Sequence, residues 1–141
     1  MADISIVSAA YEHKATNAGI TEAEIRRLIP AFYARVRRDP MLGPVFDGII
    51  DDRWPAHIET VISFWLYVIR LDRSYNARNF IPAHIKHATI RADLIPQWLA
   101  LFRETAQDLC PADSATVLVD IAQRMASSLE ISLNKRDGDA Q

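Results

Sequence analysis

The chain holds one cysteine, Cys110, which excludes an intramolecular disulfide and a zinc ribbon and suits a reducing cytoplasm. A small buried residue at a helix end is the ordinary role for such a thiol. An excess of charge is lacking too: 16 Lys and Arg stand against 18 Asp and Glu. The two signs are interleaved, so no basic stripe invites nucleic acid. Long apolar runs are missing, since the longest window, VISFWLYVI, is about half a membrane span. The opening MADISIVSAAYEHK carries Asp3 and no basic n-region, which is not a secretory signal. These absences predict a soluble, cytoplasmic protein with no nucleic-acid or membrane partner. No E-x-x-H pair, H-E-x-x-H, Walker loop or Rossmann glycine run occurs, so the sequence signatures of a di-iron bundle, a zincin and a nucleotide site are absent.

What remains is helical periodicity. A chain of 141 residues is the size of one domain. Residues 1–20 show no clear period and read as an N-terminal extension, residues 21–134 as the organised domain, and residues 135–141 as a polar tail. TEAE at Thr21 is a capping box. Ile25, Leu28, Ile29, Phe32, Tyr33 and Val36 then form one apolar face, which Pro30 is expected to kink or break. DPMLGPVFDG reads as a compact turn carrying Phe46. Asp51 or Asp52 should cap a helix with Pro55 in its first turn, whose apolar face includes Trp54, His57, Val61, Phe64 and Trp65. LDRSYNARNFIP reads as a loop leading to a short helix with His84. Two longer helices, about 94–109 and 112–133, follow either side of Cys110 and Pro111. No period-two run competes, so the class is all-α.

The stretch PAHIKHATI places His84 and His87 three apart. Periodicity leaves three roles open for them: a metal pair, one ligand with a bystander, or two surface side chains. A zinc site would need two further ligands that the lone cysteine makes hard to complete. Tyr33 and Trp98 sit on apolar helical faces, where an aromatic is more often simple core, and Phe46, Phe64 and Trp65 would be core in any fold.

Taken together, FYARVRRDPMLGPVF, RWPAH followed by FW, then a histidine and QWLALF resemble the truncated haemoglobins, most closely their third group, over about residues 22–133. The resemblance implies a two-over-two helical sandwich around haem b. The family's proximal histidine lies a fixed distance before its W-L-x-L-F motif, and that count implies His84, not His87, as the iron ligand. Tyr33, His57 and Trp98 match the family's distal residues, where a phenol and an indole can donate hydrogen bonds to a bound ligand. Phe46 resembles the phenylalanine that packs on the porphyrin, and Val61, Phe64 and Trp65 should line or back the pocket.

The implied function is binding of dioxygen and other small ligands such as nitric oxide, with nitric oxide dioxygenation or peroxidase-like turnover as its redox extension. That turnover needs an external reductase, because the chain carries no flavin or nicotinamide motif. Two readings from other classes stand beside it: a haem-based gas sensor acting through a surface contact, and a helical interaction domain without cofactor. The family's Y-x-G-x-P pattern is replaced here by YNARNFIP, so its haem-propionate contacts do not carry over. Arg53, Arg78, Lys86 and Arg91 are the nearby cations, with a solvated surface charge as the default for each.

Overall fold

The computed structural model describes residues 19–69 and 80–139, and it contains only helices and their connections within them. In chain order these are α1 (Glu22–Arg38), α2 (Gly43–Ile50), α3 (Trp54–Val68), α4 (Phe80–Ile85), a 3-10 turn (Ala92–Leu94), α5 (Ile95–Leu109) and α6 (Ala112–Asp139). The all-α expectation holds. Helix α1 packs on both α3 and α5, α5 packs on α6, and α4 leans on α6. The result is one helical pair, α1 and α3, laid over a second, α5 and α6.

The Thr21 hydroxyl accepts from the Glu24 amide at 3.2 Å and starts α1. Only this half of the capping box forms, for the Glu24 Oε2 atom is buried without a partner. Contrary to expectation, Pro30 does not split the helix: α1 runs unbroken for 17 residues. An interior proline costs about 3 kcal/mol, but the residues before and after it bury on one face. Ile25, Leu28, Ile29, Phe32 and Val36 are each at most 1% exposed, and a fully buried aliphatic or aromatic side chain contributes about 1.5–3 kcal/mol. Packing outweighs the lost hydrogen bond, while Pro30 itself faces solvent.

The region expected to be a turn is partly helical. Asp39 ends α1, and its carboxylate accepts from the Met41 and Leu42 amides at 3.0 and 2.9 Å. It also accepts from Gln97 on α5 at 2.8 Å. Pro44 then sits in the first turn of α2, where a missing N–H costs nothing. Gly43 allows the close approach: a Cβ there would lie 2.5 Å from the Arg37 carbonyl oxygen. Neither Asp51 nor Asp52 caps α3; Arg53 occupies that position, and Asp51 closes α2 at a φ of 56°.

The other surprise is the C-terminal end. Residues 135–139, read as part of a loose polar tail, continue α6. The loop reading of LDRSYNARN, with Arg78, and the extension at residues 1–18 lie outside the described residues.

Candidate haem site

Two adjoining cavities occupy the space between the helical pairs. The inner one, of about 250 Å³, is lined by Tyr33 from α1, Phe46 from α2, His57, Val61, Phe64 and Trp65 from α3, His84 from α4 and Trp98 from α5. All eight candidate residues therefore meet at one site. The outer cavity, of about 340 Å³, shares Phe46, His57 and His84 with it and adds Arg53, Lys86 and His87. Together they fall within the roughly 300–1,000 Å³ usual for small-molecule sites.

The two histidines of PAHIKHATI separate clearly. His84 lies within α4 and lines both cavities, whereas His87 falls in the turn beyond the helix and lines only the outer one. They do not form a helical i, i+3 pair. Among the described residues, no three His, Cys, Asp or Glu side chains gather as a metal site, and His84 shares its cavity with His57.

Facing it is an aromatic cluster. Tyr33 is 6% exposed, with ring centroids 4.9 Å from Phe32, 5.4 Å from His57, 5.7 Å from Trp54 and 6.1 Å from Phe46. Trp98 stacks on Phe102 at 5.8 Å and meets Phe32 edge-on at 5.5 Å, while Trp65 stacks on the other side of Phe102 at 5.1 Å. Burial lifts the Tyr33 hydroxyl well above its ordinary range, and the Trp98 indole, hydrogen-bonded to it, works in the opposite direction. Tyr33 is accordingly a neutral donor at any physiological pH.

His57 is depressed from 6.5 to about 4, first by burial, then by the charge of His84 and of Arg53. It is neutral at pH 7. Its Nε2 atom is buried and has no hydrogen-bond partner, which is costly unless a ligand or water meets it. Trp54, three residues before His57, holds the ring from the side at 5.7 Å. Its own indole donates to Asp47 at 2.9 Å, and the Arg37 guanidinium lies 4.6 Å over its ring.

Of the cations near the site, Arg53 donates to the carbonyls of Ile49 and Ile50 at the end of α2 and still lines the outer cavity with Lys86. Arg91 pairs with Asp93 at 3.0 Å and lines neither cavity.

Sequence reasoning missed Phe32 and Phe102, the two rings that hold Trp98, and Trp54, which holds Tyr33 and His57. Trp54 was visible as an aromatic one turn before His57 on the same face. Phe102 was legible only as core.

No family profile matches the chain. It is 28% identical over 122 residues to the group 3 truncated haemoglobin Ctb of Campylobacter jejuni, spanning 84% of this chain and 95% of that protein. A group III truncated haemoglobin from Campylobacter jejuni, known from its crystal structure, superposes with a TM-score of 0.75 at 27% identity, over 81% of this chain and 91% of that one. In sequence and in structure alike, the chain resembles group 3 truncated haemoglobins. The two-over-two layering is the fold of that group, and the likeness supports a globin-type haem protein. The cavity fits such a group: it is lined by aromatic and aliphatic side chains, carries an imidazole on α4, and includes the buried, unpartnered His57 Nε2. No helix among the described residues is long and apolar enough to cross a membrane.

Proposed function

We propose that the cavity would hold haem b through His84, and that Tyr33, His57 and Trp98 form a pocket for dioxygen, nitric oxide and similar small ligands. The observation that carries this reading is the convergence of His84 on α4 with those three side chains on α1, α3 and α5 around one apolar cavity. When bound, haem would supply an iron able to take small diatomic ligands. The chain supplies the rest. Phe46, Val61, Phe64 and Trp65, which line the cavity, would exclude water and pack on the ring system. Arg53 and Lys86, at the outer cavity, offer positive charge to its carboxylates.

The donors define what the pocket favours. The Tyr33 hydroxyl, which accepts from the Trp98 indole and so keeps its own proton free to donate, would meet developing negative charge with little reorganisation. A donor to a charged acceptor contributes about 1.5–3 kcal/mol and one to a neutral acceptor about 1 kcal/mol. Retention of a polarised ligand therefore suits redox turnover, such as nitric oxide dioxygenation or a peroxidase-like reaction, better than delivery. Electrons for that turnover would come from a separate reductase in the cytoplasm.

The test is to add haem to the purified protein and record ferric, ferrous and carbon monoxide spectra. One equivalent of tightly bound haem with a histidine-ligated ferrous spectrum is expected. A folded protein that takes up no haem would refute the reading and leave a helical interaction domain.

A further inference from the structure

Helix α4 has only six residues, too short to be stable by itself, and its last carbonyls need partners from elsewhere. The pose of His84 must therefore be set from outside the helix. Part of that support is apolar: Ile81, Ile85 and Ile90 pack on Leu129 and Leu133 of α6. A second support comes from a residue a turn further on, in the stretch that reads as a tail.

Arg136 donates from Nη1 to the carbonyl oxygens of Ile85 at 3.2 Å and His87 at 3.1 Å, and from Nη2 to that of Ile90 at 2.9 Å. Its Nε bonds Asp137 at 2.7 Å, and its side chain is 21% exposed. Arginines near a helix end commonly meet carbonyls of their own helix; these three belong to another segment. They are also the carbonyls that turn the chain at the C-terminal end of α4, where a fixed cation complements the helix dipole. Leu129, Leu133 and Arg136, at i, i+4 and i+7, lie on one face of α6 and together hold that segment.

We infer that Arg136 is the positioning residue for His84, its guanidinium gathering the Ile85, His87 and Ile90 carbonyls so that the imidazole is presented to the cavity in one orientation. This rests on the reading of His84 as the haem ligand. A lysine could keep the charge but not span three carbonyls, because its single nitrogen lacks the planar fork.

The experiment compares haem-loaded wild type, Arg136→Ala, Arg136→Lys and His84→Ala. Three quantities are read: the iron–histidine stretching band of the ferrous protein by resonance Raman, the rate of haem transfer to an acceptor apoprotein, and amide exchange across residues 85–90. In Arg136→Ala the band should shift or broaden, haem should leave about tenfold faster or more, as expected for losing charge-assisted hydrogen bonds, and the His87 and Ile90 amides should lose protection. Arg136→Lys should fall between, and it decides the matter if the alanine variant does not fold. An unmoved band and transfer rate overturn the inference, even if the melting temperature drops, since Arg136 would then only stabilise α6. If His84→Ala keeps the band, the ligand assignment itself fails; if only the Arg136 variants match wild type, that assignment stands and the positioning role fails.

Discussion

Replacing Tyr33 by phenylalanine removes one oxygen and keeps the ring among Phe32, Phe46, Trp54 and His57. Packing changes little, so the effect isolates the hydroxyl. The hydroxyl is neutral, being held far above its ordinary pKa by burial, and under the proposed function would donate to a ligand that carries negative charge. Losing such a bond costs about 1.5–3 kcal/mol. At about 1.4 kcal/mol per tenfold, dioxygen should dissociate about 10 to 150 times faster. Carbon monoxide is a poor acceptor, and its rate should change little. Stopped-flow displacement of each gas from the ferrous haem protein measures both rates. Because Trp98 hydrogen-bonds Tyr33, Trp98→Phe and the double variant should be non-additive. An unchanged dioxygen rate, or equal acceleration of both gases, would show that the hydroxyl does not meet the ligand.

Three other outcomes are expected. In the haem-free protein, His57 titrates near 4 when folded and near 6.5 when unfolded, so the unfolded state alone takes up that proton between those values. Its contribution to stability is full above about pH 6.5 and is lost as the pH falls toward 4; His57→Phe should flatten the urea midpoint across that window, by at most about 3 kcal/mol and less where solvent reaches the ring. Gly43→Ala should destabilise by about 1–3 kcal/mol, read from urea unfolding, because its Cβ would meet the Arg37 carbonyl at 2.5 Å. Pro30→Ala should stabilise by about 1–2 kcal/mol in the same assay, since Pro30 is exposed inside an unbroken helix and alanine restores an N–H for the Arg26 carbonyl.

Much of the fold was legible because its long helices carry their own apolar periodicity. Ile25 to Val36 on α1 and Val117 to Leu133 on α6 name the buried faces without reference to anything else. Local rules failed where tertiary packing competes with them. Pro30 signals a break, yet both flanks of α1 are clamped against α3 and α5. The two prolines and two glycines of DPMLGPVFDG signal a turn, yet Pro44 fits a first helical turn and Gly43 a close approach. Residues 135–139 look polar and loose because the anchor of that stretch, Arg136, makes its bonds to backbone carbonyls some 46 to 51 residues earlier, which leave no mark in side-chain patterns. At the site, spaced motifs picked out Tyr33, His57, His84 and Trp98, whereas Phe102 and Trp54 act only through neighbours that the sequence cannot pair.

The most direct measurement is the ferrous spectrum of haem-loaded wild type beside His84→Ala and His87→Ala, with and without added imidazole. His84 as the axial ligand predicts that His87→Ala matches wild type, while His84→Ala loses the histidine-ligated spectrum and regains it with imidazole. A His84→Ala protein that keeps the wild-type spectrum, or a His87→Ala protein that loses it, would contradict the assignment.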